Sequence, residues 1–299
     1  MLGLFGRGKS CSMENKSFNQ MESYGLSRTD RYIPPFCTWV DDKTSDCCTW
    51  EGVKCSNSTG RVIQLSLRAV YLHKFKFDVD DNFPDVSLYT PFEELQHLDL
   101  SNNALNWTIE VLTNLSNLEF LDLSWNNLDD FPDLRNMSKL KILNVSWNNF
   151  LGRIPPSILS LSSLEALSLR GTNIKDSISG FCELTKLQDL DLSGNKFEGI
   201  LPPCLNNLTS LRMVDFSHNQ LSGNIPSSLL SNLTSLDYIS LSRNQFDQSS
   251  LSFMSLANHK NQLKVLGLSN CNLNTSTSDL LNFLHNQYDL REVDLSHNK

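Results

Sequence analysis

The feature that most narrows what this chain can fold into is one motif written again and again, L-x-x-L-x-L-S-x-N-x-L. Its second leucine position falls at Leu98, Leu121, Leu143, Leu167, Leu190, Val214, Ile239, Leu266 and Val293, with spacings of 23, 22, 24, 23, 24, 25, 27 and 27 residues. A degenerate earlier copy, VIQLSL, occupies 62–67, and a stretch around HKFKFDVDDNFPDVSLY separates it from the next. A unit this short cannot bury its own apolar face. A continuous core forms only when neighbouring units stack.

The period and motif are those of a leucine-rich repeat. They predict an α/β repeat solenoid, a right-handed superhelix with a parallel sheet on its concave face. Side chains alternate along each short strand, so Leu98 and Leu100 face the core and Asp99 faces out, with Leu121 and Leu123 stacked beside them. Leu112, Leu115 and Leu118 close the interior from the opposite side. Five residues after each anchor comes an asparagine: Asn103, Asn126, Asn148, Asn195, Asn219, Asn244 and Asn298. A buried amide that both donates and accepts can satisfy backbone groups where the chain turns out of the strand. Thr172 and Cys271 hold that slot in two copies, which predicts two less firmly tied turns.

The chain divides into an atypical leader over 1–36, a cysteine-rich cap over 37–59 and repeats over 60–299. The last copy, VDLSHNK, breaks off just past its asparagine, so the array is expected to continue beyond residue 299. No stretch approaches the ~20 consecutive apolar residues of a membrane helix. The first residues fall short of the ~7–15 apolar residues of a secretory signal. Membrane attachment is therefore expected only through a segment missing from this sequence. A net charge of −8 argues against a nucleic-acid partner, yet an acidic surface would attract a cationic ligand.

Cys37, Cys47, Cys48 and Cys55 cluster just before the first strand and read as disulfides closing the apolar end of the stack. Adjacent Cys47 and Cys48 cannot easily bond each other, so each needs a partner elsewhere. The spacing does not match a zinc site, and no metal is expected. Cys182 and Cys204 share nearly the same phase of adjacent repeats; a bridge and two buried thiols are both open. GLFGRGKS at 3–10 has the form of a phosphate-binding loop but lacks the strand before it and the helix after it, so no nucleotide or other cofactor is expected. The acidic run Asp78, Asp80, Asp81 has no calcium-loop spacing.

DCCTWEGVKC, then GRVIQLSL, then FLGRIP, FEGILP and LSGNIP at 150–155, 197–202 and 221–226 resemble the plant-specific leucine-rich repeat family with its N-terminal cap. From about residue 37 onward the chain is most similar to plant receptor-like proteins, which join an extracellular repeat domain to one membrane helix and have no kinase. That resemblance implies a Cys48–Cys55 bridge, with Cys47 paired to Cys11 or Cys37. It implies a non-enzymatic ectodomain on the extracellular side of the plasma membrane, binding a peptide or a carbohydrate-derived pattern and signalling through a partner receptor kinase in defence or development. The alternative is a secreted inhibitor of a pathogen's wall-degrading enzyme, similar to polygalacturonase-inhibiting proteins. The family's amphipathic helix before the cysteine doublet is missing here.

The outward positions of the strands form the expected ligand face. One column carries Asp122, Asn144, Asp191 and Asp215. A second, more variable one carries Trp125, Trp147, His218 and Arg243, with Arg170 nearby. The tryptophans belong to adjacent repeats, about 5 Å apart if their strands pair. They are either ligand anchors or rim side chains that pack on one another. Sequons at Asn57, Asn106, Asn114, Asn136, Asn207, Asn232 and Asn274 are candidate glycosylation sites. Asn114, Asn136, Asn207 and Asn232 share one phase, which places their glycans on one flank and leaves the strand face bare. Asn144 also begins a sequon on that face, so either it is unmodified or the ligand lies elsewhere.

Overall fold

The computed structural model describes residues 46–69, 92–106, 112, 114–226, 229, 232–248, 263–274, 281, 283–285 and 287–298. The 1–36 leader, Cys11, Cys37, the phosphate-loop-like segment and the acidic run lie outside the described residues. The chain falls into two compact units. One comprises 1–126 with 132–140, and the other 127–131 with 141–299.

In the first unit, Asp46 accepts from the Cys48 amide at 3.0 Å and caps a short 3-10 turn, Cys47–Thr49. Cys48 bonds Cys55 across 5.5 Å between α-carbons, and Cys47 is disulfide-bonded too. Strand β1 (Val53–Cys55) runs antiparallel to β2 (Val62–Ser66), turning the buried Trp50 and Leu65 inward. Gly52 makes that turn possible: its φ is 79°, and a Cβ there would lie 2.5 Å from the Ser66 carbonyl oxygen. β3 (His97–Asp99) and β4 (Phe120–Asp122) follow, parallel and in register, Leu65 beside Leu98 and Leu98 beside Leu121.

The second unit continues the pattern with β5 (Ile142–Asn144), β6 (Ala166–Ser168) and β7 (Asp189–Asp191). A two-residue strand, β8 (Glu198–Gly199), comes next. Then come β9 (Met213–Asp215), β10 (Gln220–Gly223), β11 (Tyr238–Ser240), β12 (Gln245–Phe246), β13 (Val265–Gly267) and β14 (Glu292–Asp294). Strands β5, β6, β7, β9, β11, β13 and β14 form one parallel run. Their anchors Leu143, Leu167, Leu190, Val214, Ile239 and Leu266 are all buried. β8, β10 and β12 form a second, smaller parallel sheet. Between the strands, the described residues include an α-turn over Pro156–Leu159 and 3-10 turns over Ser179–Glu183 and Pro203–Asn207. Cys182 and Cys204, left open by the sequence, are bonded and staple the last two turns together.

Asparagine side chains tie one repeat to the next. Asn195 is typical. Its Nδ2 donates to the Leu169 carbonyl of the preceding repeat at 2.6 Å and to Leu192 and Ser193 of its own at 3.0 and 3.3 Å. Its Oδ1 accepts from the Thr172 and Ile174 amides, each at 3.1 Å. Asn126, Asn219, Asn244 and Asn298 repeat the donor set. Asn103 does the same toward Leu67 and Leu100. Asn148 donates to Val145 and Ser146, and its Oδ1 accepts from Leu128.

The two substitutes manage less. Thr172 Oγ1 reaches Leu169 at 2.7 Å. Cys271 Sγ reaches Leu241 at 3.1 Å, and burial pushes its thiol up to about 12. Neither has an oxygen equivalent to the amide Oδ1 to offer Phe150 or Phe246, whose counterparts Leu128, Ile174, Phe197 and Leu221 each bond an asparagine. Asn195→Leu is therefore expected to cost roughly 3–4 kcal/mol, because buried amides and carbonyls lose their partners. Thr172→Asn is expected to add about 1 kcal/mol. Urea denaturation of both variants checks this; equal and small effects would contradict it.

Candidate functional site

Each strand of the parallel runs ends in the same local geometry. The residue four places after the anchor has positive φ in every described repeat. Asn102, Trp125, Trp147, His218, Arg243, Asn270 and His297 lie between 50° and 58°, and Gly171 and Gly194 at 62° and 67°. The left-handed conformation lets the amide of this residue donate sideways to the next repeat, as from Trp147 to Arg170 and from His218 to Ser242, each at 2.8 Å. Glycine and asparagine adopt it readily. Tryptophan, histidine and arginine do so at a cost of about 1–2 kcal/mol. The side chains leave this slot toward solvent: Trp125 is 58% exposed and Trp147 41%, and His218, Arg243 and Arg170 are exposed as well.

Trp125 belongs to the first unit and Trp147 to the second. Trp147 has a built setting. Its indole lies against the Gly171 backbone so closely that a Cβ there would meet Cε3 at 2.9 Å. The Arg170 guanidinium sits over its ring, 5.7 Å from the centroid. The glycine is thus both what the left-handed turn favours and what leaves room for the ring.

The acidic column has work inside the scaffold that the sequence reading missed. Asp191 Oδ1 accepts from the Ser193 amide and hydroxyl at 2.9 and 2.6 Å. Asp122 and Asp215 accept from the amides of Ser124 and Ser217, and Asn144 accepts from Ser146 at 3.1 and 2.7 Å. Each therefore fixes the backbone just before the left-handed slot. The motif carries the signal, D-x-S with the serine two residues on, the spacing of a side chain that bonds its own downstream backbone. Burial holds the Asp191 carboxyl above the usual range, and the like charge of Asp215 adds to this against the pull of Ser193 and Arg170.

A third outward column also went unread, the residue immediately before each anchor. Period-two alternation points it to the same side as the acidic column. In the first unit it holds His97 and Phe120, stacked at 3.8 Å. Burial lowers the His97 pKa against the opposing pull of Asp99 and Asp122. In the second unit it holds Ile142, Ala166, Asp189, Met213, Tyr238, Val265 and Glu292, side by side. The Tyr238 hydroxyl donates to Asp215 Oδ2 at 3.4 Å.

Asn57, Asn106, Asn114, Asn136, Asn207, Asn232 and Asn274 are all exposed, whereas Asn144 is half-buried. Among the described residues the grouping that could hold a metal is Cys47, Cys48 and Cys55, and disulfide bonding takes those sulfurs. No helix among them is long and apolar enough to cross a membrane.

Residues 138–197 match the leucine rich repeat family model, and 94–115, 117–137 and 210–232 match a second, single-repeat one. Receptor like protein 21 of Arabidopsis thaliana is 33% identical over 201 residues, which is 62% of this chain and 20% of that protein. Receptor-like protein 14 of the same plant is 36% identical, over 43% of this chain and 14% of its own length. The chain therefore spans about a fifth or less of these relatives. Among solved structures, the Arabidopsis receptor kinase HAESA, in complex with the peptide hormone IDA and the co-receptor SERK1, superposes with a TM-score of 0.64. That match is 27% identical over 94% of this chain and 53% of the other.

Because Asn144 bonds its serine as Asp191 does, Asp191→Asn keeps the turn and removes only the charge. The raised pKa means that folding favours the protonated form, so the stability this group confers is lost as pH rises through the folded value. At pH 7 the variant is expected to melt no lower than the parent, with the difference closing as pH falls through the carboxylate range. Paired melting curves at pH 7 and pH 3 check it. A variant that is clearly weaker at pH 7 would show that the serine bonds need the charge.

Proposed function

The chain belongs to the plant leucine-rich repeat receptor-like proteins, and from that premise we propose that it is part of a receptor ectodomain that recognises a peptide on its strand face. The observation that carries the reading is the left-handed slot. A position whose geometry favours glycine or asparagine is filled by exposed tryptophan, histidine and arginine, side chains that cost the fold energy and suit binding.

The likeness to a receptor seated with a peptide hormone and a co-receptor supports a peptide ligand and a co-receptor partner; a receptor kinase in that place would carry the signal in defence or development. A segment outside this sequence would hold it at the outer side of the plasma membrane. Glycans at the exposed sequons, several in one repeat phase, would leave the strand face open. The role is recognition and not catalysis.

Trp147→Gly tests the reading, because glycine adopts the slot freely. The lost ring contacts and the relieved strain are expected to offset, leaving the melting temperature within about 3 °C of the parent. The parent is expected to gain stability with a peptide fraction of plant extracellular fluid, since a ligand that binds only the folded form stabilises it; the variant should not respond. Inhibition of a fungal polygalacturonase without any peptide response would instead favour the wall-enzyme inhibitor.

A further inference from the structure

In the second unit, the strand register sets side chains in rows across the open sheet face. The row before the anchors reads Ile142, Ala166, Asp189, Met213, Tyr238, Val265, Glu292, so that Asp189 has apolar side chains on both sides and the next carboxylate in the row stands four strands away on β14. In the adjacent row Asp191 and Asp215 stand directly opposite one another. Three carboxylates thus share two neighbouring strands, about 5 Å apart, an arrangement that like-charge repulsion disfavours.

None of the three has an ion-pair partner among the described residues. Asp189 bonds nothing through its carboxylate, and Asp191 bonds only Ser193 through Oδ1. Asp215 bonds Ser217 through Oδ1 and Tyr238 through Oδ2. Elsewhere in the unit acids do find bases: Asp237 meets Lys264 at 3.2 Å and Arg212 at 3.4 Å, and Glu198 meets Lys175 at 3.1 Å. Arg170, whose charge acts on Asp191, directs its guanidinium over Trp147. The carboxylates also fail to converge as a metal ion requires, since only the cap cysteines group that closely among the described residues.

We infer that the occupant of this face is a peptide that lays a basic side chain over Asp189 and Asp191, beside the buried Asp215 whose charge adds to theirs, and apolar side chains over the flanking row. Charge complementarity selects the basic residue, and the half-buried apolar neighbours select what surrounds it. An extended peptide crossing the strands advances ~3.4 Å per residue against ~4.8 Å per strand. From Asp189 to Tyr238 is two strand spacings, so an apolar residue belongs about three positions from the basic one. The planar fork of arginine can bridge two carboxylates, so arginine is favoured over lysine. A cation here would also oppose the burial and repulsion that raise the Asp191 pKa.

The inference rests on the peptide-receptor reading, and one experiment separates the two. Immobilised protein is exposed to synthetic hexapeptide pools, each with one position fixed as Arg, Lys, Leu, Ala or Glu and the others random. Arg- and Lys-fixed pools are expected to be retained about tenfold over Glu-fixed pools, the effect of a single favourable charge contact. The double variant Asp189→Asn, Asp191→Asn should lose that preference while melting no lower than the parent, and Asp294→Asn, the same slot on β14, should keep it. Retention without a basic preference, or a preference that survives the double variant, would overturn the inference and leave the receptor reading standing. No retention of any pool by folded parent protein would count against both.

Discussion

The interaction on which the rest of the structure depends is the side-chain amide of one asparagine per repeat. A strand three residues long must stop, turn and leave the sheet within a buried environment, and its last carbonyls and the next amides have no helix or sheet partner. One amide group supplies both donors and an acceptor to both sides of the turn. It does so to the preceding repeat as well as its own, so it acts across the stack, where a repeat fold must obtain its stability. With that slot fixed, the neighbouring slot is free to vary, and the tryptophans, histidine and arginine use that freedom.

Most of the fold was legible because the stacking constraint acts on every copy alike. Leu98, Leu121, Leu143 and their successors answer to one geometry, so period alone assigns them to the core. The asparagines could be read for the same reason. The kind of turn between strands could not: the segments around Ile158, Phe181 and Leu205 need only one buried side chain per turn, and that pattern does not distinguish an α-turn from a 3-10 turn. The Cys182–Cys204 bond was likewise undecided, since phase places two sulfurs near each other without saying whether they join.

The strand face was less legible, because its residues serve the scaffold and the surface at once. Asp122, Asp191 and Asp215 look like a bare acidic column in the sequence, yet each holds a backbone turn through one oxygen, and Asp215 is buried with its other oxygen bonded to Tyr238. Trp147 looks like a solitary exposed ring, yet Gly171 is shaped to receive it and Arg170 covers it. The row through Met213 and Tyr238 obeys the same alternation as the acidic row, but the motif writes it as an unspecified position, so consensus draws the eye away from it. Variable positions carry the individuality of a repeat protein, and a repeat pattern says least about them.

The asparagine oxygen, not packing alone, ties each turn to its neighbour. Amide hydrogen exchange followed residue by residue tests it most directly, because Phe150 is as buried as its counterparts and differs in facing Thr172. The Phe150 amide should exchange markedly faster than those of Leu128, Ile174 and Phe197. Equal protection at all four would contradict the claim and assign the cohesion of the stack to its leucines.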